Sequence, residues 1–287
     1  MPEGTTGEVA GGAAGAIVSE GALEVRPLTP GFGAEVIGLD LSRSPSAPLV
    51  AELRALFDRY LVLLFRAQDL SPEAQVELGR QFGRLQMPEL FVLSNVGPDG
   101  RPKGKHPDLG TLVWHTDSSF SGHPPYASLL YAEAAPKRGG HTLFADTLSA
   151  CEALPEAECA RLSLLRVLHD QRASRRKTAY PPLPPERVKP PAEHPLLRTH
   201  PPTGRRGIYL GSHADRVVGL SDEESAALIE RLMAHVTAPR FVYDHAWRPG
   251  DLLIWDNRAL LHRATEYDTA AESRNMRRAV VKGDAPY

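Results

Sequence analysis

Cysteine is almost missing from this chain: among 287 residues Cys151 and Cys159 are the two thiols. That excludes a disulfide-rich secreted scaffold and makes a reducing cytoplasm the expected setting. An excess of charge of one sign is missing as well, with 33 Lys and Arg against 35 Asp and Glu and a net charge of -2. Near neutrality gives no field to gather nucleic acid or an acidic membrane surface, so neither is an expected partner. No apolar run is long enough to span a bilayer. The first 22 residues are rich in Gly, Ala, Thr and Glu and lack a basic start followed by a long apolar stretch. They read as a disordered tail and not as a signal peptide.

What remains is a chain that is 42% hydrophobic and long enough for one sizeable core, the profile of an enzyme acting on a small molecule. Residues 23–287 are expected to form a single domain. Leu49, Val50, Leu53, Leu56, Phe57 and Tyr60 recur at helical spacing and run into the apolar stretch Leu61 to Phe65, which reads as a buried strand. A second helix is predicted from Ser71, with Pro72 in its first turn. A third is predicted from Ser221, where Ser-Asp-Glu-Glu is a capping-box pattern. Cys151 and Cys159 fall in helical segments after a turn at Asp146. Strands are expected over 127–132, 142–145, 208–210, 240–243, 251–255 and 276–282. Many short strands separated by turns suggest a mainly β fold with helical additions, a double-sheet jelly roll. The proline-rich excursion at 172–195 cannot be a central strand and reads either as a lid or as a surface loop without a role.

Chemistry is suggested by histidine and carboxylate spacing. Three His-x-Asp triplets occur: His106/Asp108, His115/Asp117 and His213/Asp215. The first lies in a polar stretch punctuated by Gly and Pro and reads as loop. His115 and Asp117 follow the apolar Leu112-Val113-Trp114, so they are expected at a strand end, projecting from one face. Two imidazoles and one carboxylate can hold Fe(II) while leaving positions open for a co-substrate and oxygen. A buried histidine bonded to a nearby carboxylate for structural reasons is the alternative.

Several motifs in order carry a resemblance. They are Gly-Ala-Glu-Val-Ile-Gly-Leu-Asp-Leu at 33–41, Leu-Val-Leu-Leu-Phe-Arg at 61–66, Phe-Gly-Arg-Leu at 82–85 and His-Thr-Asp-Ser-Ser-Phe from His115. Gly-Gly-His-Thr-Leu-Phe from Gly139, Trp-Asp-Asn-Arg from Trp255, His262 and Arg-Arg-Ala at 277–279 continue the series. From about Leu23 to Tyr287 the chain resembles the taurine/2,4-dichlorophenoxyacetate dioxygenase family of Fe(II)- and 2-oxoglutarate-dependent oxygenases.

The resemblance implies a double-stranded β-helix (jelly-roll, cupin-like) core, with Fe(II) held by His115, Asp117 and His262. It implies that Thr142 and Arg274 hold the distal carboxylate of 2-oxoglutarate, and that O2 is the second co-substrate. Arg278, four residues beyond Arg274 on one face of a strand, matches the arginine that meets an anionic group on the substrate, and His213 is a further candidate for the pocket wall. A guanidinium suits such an anion because it offers two parallel hydrogen bonds. Alternation turns Arg277 the other way, onto what reads as a basic, solvated strand edge. The interval from His262 to Arg274 is one residue longer than the family pattern, to be absorbed in the intervening loop. Homodimers or homotetramers are expected from the same resemblance, with the helix from Ser221 as a contact face.

The implied reaction hydroxylates a C–H bond of a small carboxylate or sulfonate with release of succinate and CO2, and the carboxylate at Asp117 favours hydroxylation over halogenation. Arg198-Thr199-His200, Gly211-Ser212-His213-Ala214 and Leu261-His262-Arg263 look like the phenoxyacetate branch. The segment Gln86-Met87-Pro88-Glu89 is short and lacks the histidine that taurine enzymes use. A phenoxyacetate-like molecule, a biosynthetic carboxylate or an amino acid therefore fits better than taurine. A zinc hydrolase using the same two histidines and carboxylate, or an anion-binding module on the same scaffold, is the competing reading.

Overall fold

The computed structural model describes residues 18–20, 23–87, 90–178 and 180–287. From the N-terminus the strands are β1 (Val18–Glu20), β2 (Leu23–Pro27), β3 (Ala34–Ile37), β4 (Val62–Phe65), β5 (Phe91–Ser94), β6 (Ala127–Ala134), β7 (Thr142–Asp146) and β8 (Arg166–His169). They continue as β9 (Ala192–Pro195), β10 (Leu197–Thr199), β11 (Arg206–Ile208), β12 (Ala214–Val217), β13 (Val242–His245), β14 (Leu252–Asp256), β15 (Leu260–Ala264) and β16 (Asn275–Val281). The α-helices are α1 (Ala47–Tyr60), α2 (Pro72–Phe82), α3 (Thr147–Glu152), α4 (Glu156–Leu162), α5 (Gln171–Arg176) and α6 (Asp222–Val236).

Eight strands form the major sheet in the order β1-β2-β3-β4-β14-β6-β16-β5, and β13-β7-β15 form a minor sheet against it. The strand pairs are antiparallel except β3 with β4. Alternation along the central strands explains why they read as unbroken apolar runs: both faces of the major sheet are covered. On β4, Leu63 and Phe65 pack with the α1 and α2 residues Leu53, Phe57 and Leu78. Val62 and Leu64 point the other way, into the layer shared with Phe144 of β7 and Leu260 of β15. The same two-residue period puts Ser128, Trp255 and Arg278 on the inner, intersheet side, because Trp255 and Ser128 are register partners and so are Val280 and Ser128.

The amphipathic helices follow the predicted spacing. α1 buries Leu53, Leu56, Phe57 and Tyr60 and ends where Leu61, at φ 64°, donates its N–H to Phe57 O. α2 is capped by Ser71 and is fastened to the sheet by buried Gln75, whose Nε2 donates to Arg277 O at 2.9 Å. Asp146 caps α3, and Cys151 and Cys159 lie in α3 and α4 as expected. A third apolar cluster joins α3 and α6 to β8, β10, β11 and β12.

Differences from the sequence expectations have local causes. Val18–Glu20, assigned to a disordered tail, pair with β2 in the register Val18 to Val25; the rest of residues 1–22 lies outside the described residues. The partner strand satisfies the backbone of a segment whose composition argued for disorder. The strand expected at 240–243 is displaced, because Pro239 opens a 3-10 turn through Phe241 and β13 starts only at Val242. The strand expected at 208–210 is β11, ending at Ile208. Arg277 does face away from Arg278, but it is buried and not solvated: β16 is flanked by β6 and β5, and Arg277 donates to Leu70 O and lies over the Tyr131 ring. The proline-rich excursion contains the end of α5, a 3-10 turn at Pro185–Arg187 and β9, an edge strand beside β8. Among the described residues no helix is long and apolar enough to cross a membrane.

Ser221 Oγ accepts the N–H of Glu224 at 3.2 Å while Glu224 Oε2 accepts that of Ser221 at 2.9 Å, a reciprocal cap on α6. Ser221→Ala should lower the free energy of urea unfolding by about 1 kcal/mol; an unchanged midpoint and slope would show that the cap contributes nothing to the folded chain.

Candidate metal and co-substrate site

The minor sheet ends at β15, and the free edge of that strand is used by a single residue from elsewhere in the chain. His115 N donates to His262 O at 3.0 Å and His262 N to His115 O at 2.8 Å, an antiparallel bridge that sets the two rings 4.2 Å apart. His115 is therefore not at the end of a regular strand, as its apolar flank suggested. Leu109–Leu112 form a 3-10 turn, His115 pairs alone, and the chain turns again from Asp117 to Ser118, which has φ 45°. Gly211 backs this arrangement: its φ is 124°, and a Cβ there would stand 3.1 Å from His115 Cα.

Three ligand atoms converge. Asp117 Oδ1 lies 3.8 Å from His115 Nε2 and 3.6 Å from His262 Nε2. These separations are too long for hydrogen bonds and suit atoms that share a cation. Val113 O lies 2.8 Å from His115 Nδ1, which holds the proton on Nδ1 and leaves the Nε2 lone pair for a metal. His262 Nδ1 is buried without a partner among the described residues. Burial alone would raise the Asp117 pKa. Arg278, then His262 and His115, and the Ser128 hydroxyl outweigh it and hold the carboxyl well below the usual range. The donor set is that of a 2-His-1-carboxylate centre.

Asp58, His200 and Asp256 also come together, but a guanidinium already sits among them. Arg258 Nη2 lies 2.6 Å from Asp256, 3.2 Å from His200 Nε2 and 3.4 Å from Asp58. That cluster is an ion-pair network in which a metal would meet a fixed positive charge.

Arg274 and Thr142 line one cavity with His262, Trp255, Leu130 and Arg278. Arg274 is 4% exposed and, among the described residues, no carboxylate pairs with it; its Nε donates to Gly140 O at 3.3 Å. Burial pulls its pKa down to about 10. An uncompensated guanidinium at this depth favours an anion. Thr142 Oγ1 accepts from Trp247 Nε1 at 2.9 Å, so its own proton is free to donate. These groups fit the distal carboxylate of 2-oxoglutarate. The loop before Arg274, which holds the extra residue, is clamped by buried Asn95. Asn95 Oδ1 accepts Arg274 N at 2.7 Å, and its Nδ2 donates to Thr269 O and Glu272 O.

Arg278 lines that cavity and a second one of about 250 Å³ with Gln86, Phe91, Leu93, Asp108, Asp117, Ser118, Pro125 and Val280. Its Nη2 donates to Asp117 Oδ2 and to Ser128 Oγ, while its buried Nε has no partner among the described residues. His213 lines neither cavity. It is buried against Phe120, with Nδ1 3.2 Å from Ser119 Oγ, behind the turn that carries Asp117. The other triplets separate in the same way: Asp215 pairs with Arg176, while Asp108 caps the turn at Leu109 and accepts the Tyr180 hydroxyl at 2.5 Å. His106 was read as loop, yet it reaches the Arg274 cavity and packs against Tyr267. Asn95 and Ser128 carry no motif of their own, while His106 stood in a triplet read as loop. Asn257 stood in a motif already noted, without a role.

With this geometry established, relatives become informative. Residues 24–280 match the family described as taurine catabolism dioxygenase TauD, TfdA family. The chain is 36% identical to the alpha-ketoglutarate-dependent 2,4-dichlorophenoxyacetate dioxygenase of Cupriavidus pinatubonensis, over 90% of this chain and 97% of that one. It is 33% identical to the pentalenolactone F synthase of Streptomyces arenae, over 92% and 97%. The crystal structure of AAD-2 in complex with Mn(II) and N-oxalylglycine superimposes with a TM-score of 0.86 at 36% identity, over 92% of this chain and 98% of that one.

Burial pushes His169, His194, His213 and His245 below the ordinary histidine value of 6.5, His213 to about 3. The folded chain thus binds fewer protons than the unfolded one between about pH 6.5 and the depressed values, and stability falls with pH there. Urea unfolding of the chelator-treated protein should lose up to about 1.4 kcal/mol per pH unit per histidine on going below 6.5. Asp117 and Asp256, both depressed, add to the loss only below 3.8. A stability that is level from pH 7 to 5 would contradict neutral burial of these rings.

Proposed function

The chain belongs to the taurine catabolism dioxygenase TauD, TfdA family and is an Fe(II)- and 2-oxoglutarate-dependent dioxygenase, and we propose that His115, Asp117 and His262 hold its iron while Arg274 and Thr142 bind 2-oxoglutarate. The observation that carries the assignment is Arg274, a buried guanidinium without a carboxylate, sharing a cavity with His262. A hydrolase or a simple binding module has no use for a second anion anchor beside the metal. Bound iron supplies the coupling of 2-oxoglutarate decarboxylation, to succinate and CO2, with oxygen insertion into a substrate C–H bond.

The protein's own residues do the positioning. His115 and His262 would present Nε2 atoms and Asp117 its Oδ1 to the metal. Arg274 and Thr142 fix the far end of the co-substrate, which sets where its keto acid end lies. Arg278 stands where the two cavities meet, so an anionic head bound there would place the substrate body among Phe91, Leu93, Pro125 and Val280. A cavity of about 250 Å³ suits a small molecule. Together these features favour a compact carboxylate or sulfonate with an apolar body, phenoxyacetate-like or a biosynthetic carboxylate or amino acid, over taurine. The names of the two relatives, one a phenoxyacetate and one a pentalenolactone enzyme, support that range. His213 braces the Asp117 turn in this reading and does not touch substrate. The excursion at 172–195 covers the site through Tyr180, which holds the cavity-lining Asp108. Residues 23–287 act as one catalytic unit.

Anaerobic addition of Fe(II) and then 2-oxoglutarate should produce the visible charge-transfer band of a chelated keto acid. Arg274→Leu should need about 100-fold more 2-oxoglutarate for the same band. No band in the folded, iron-loaded parent chain would overturn the co-substrate assignment, and a band that Arg274→Leu leaves unmoved would overturn the anchor.

A further inference from the structure

Trp255, Asn257, Ser128 and Asp117 form a hydrogen-bond series whose direction is forced by chemistry. The indole Nε1 of Trp255 can only donate, and it donates to Asn257 Oδ1 at 3.0 Å. That fixes which way the amide faces, so Asn257 turns Nδ2 to Ser128 Oγ at 3.1 Å. Arg278 Nη2, also only a donor, reaches the same oxygen at 3.1 Å. A serine hydroxyl has two lone pairs and one proton. Both lone pairs are engaged, and the proton goes to Asp117 Oδ2 at 2.8 Å. Ser128, Asn257 and Trp255 are at most 2% exposed, so water does not compete for any link.

The major sheet supplies two members of this series and the turns beside it supply the other two. Ser128 on β6 is the register partner of Trp255 on β14, Asn257 lies in the turn just past the end of that strand, and Asp117 lies in its own turn. We propose that Ser128, oriented by Asn257 and Trp255, is a positioning residue that fixes the rotation of the Asp117 carboxylate, reserving Oδ2 for the protein and Oδ1 for the metal. The proposal rests on the assignment of His115, Asp117 and His262 as ligands. A carboxylate free to turn could offer both oxygens to a metal and fill a position that the co-substrate needs. Ser128 opposes that, beside Arg278 Nη2 on the same oxygen, through a hydrogen bond whose direction its other two partners fix.

The test uses Co(II) as the probe, with affinity from calorimetry and ligand geometry from its visible d–d spectrum, on the full chain and its variants. Ser128→Ala removes the donor. Asn257→Asp keeps the size but replaces the Nδ2 donor with an acceptor that competes for the Ser128 proton. Both should bind Co(II) about 10- to 100-fold more weakly and with a changed spectrum, while Ser128→Thr, which keeps a hydroxyl, should restore both. The proposal is overturned if Ser128→Ala and Asn257→Asp unfold as cooperatively as the parent, bind Co(II) within about threefold of it and show its spectrum, while Asp117→Ala has lost the metal. Should Ser128→Ala not fold, Asn257→Asp decides by the same criteria. Parent-like Co(II) binding by Asp117→Ala would instead sink the ligand assignment itself, and with it the proposal.

Discussion

A carboxylate buried as deeply as Asp117 stays ionised only when positive charge and donors surround it. The chain meets that condition with Arg278 and Ser128 on one oxygen and leaves the other facing two imidazoles. Most other features of the site are consequences of this arrangement. The imidazoles must be held close together, and the backbone bridge between His115 and His262 does so. Arg278 must come from the inner face of the major sheet, and the strand period sends Arg277 outward to pack on Tyr131. The pocket therefore depends on two sheets whose registers agree.

The division of labour between the sheets follows from how each is covered. The major sheet has helices on its outer face, so its inner face can bury Ser128 and Trp255 and carry Arg278 at the edge of the cavities. The minor sheet contributes Thr142 and His262, and its edge strand remains free to accept His115. Arg274 stands at the entry to β16, where Asn95 holds the preceding loop in place. Arg274 and Arg278, the proposed anion anchors, are thus spaced four residues apart on one strand and its approach, with the proposed metal ligands between the layers. The pairing of Arg278 with Asp117 would also tie the proposed substrate anchor to the proposed metal site, because an anion bound at Arg278 would share that guanidinium with Asp117.

Much of this was legible in the chain because it is carried by local patterns. The apolar run at 62–65, the cap at Ser221 and the helical spacing from Leu53 to Tyr60 each state their own structure. The proposed site residues stand in ordered motifs, and the structure brings His115, Asp117 and His262 together, with Thr142, Arg274 and Arg278 around them. What was not legible depends on distant pairing. Nothing near His115 indicates a one-residue bridge to His262, and nothing in the first 22 residues announces that Val18 will find Val25. Asn95 and Ser128 are common residue types: Asn95 takes its role from partners more than a hundred residues away, and Ser128 is oriented toward nearby Asp117 by Asn257 and Arg278, which are just as distant. His213 stands in a suggestive motif, yet it turns behind the Asp117 loop because Ser119 and Phe120 receive it there.

The most direct test of the account is the anomalous difference map of a crystal grown with Mn(II) and N-oxalylglycine, a 2-oxoglutarate analogue. The account predicts one strong peak within bonding distance of His115 Nε2, Asp117 Oδ1 and His262 Nε2, and the far carboxylate of the analogue on Arg274 and Thr142. A peak at Asp58, His200 and Asp256 instead, or an analogue carboxylate bound away from Arg274, would contradict it.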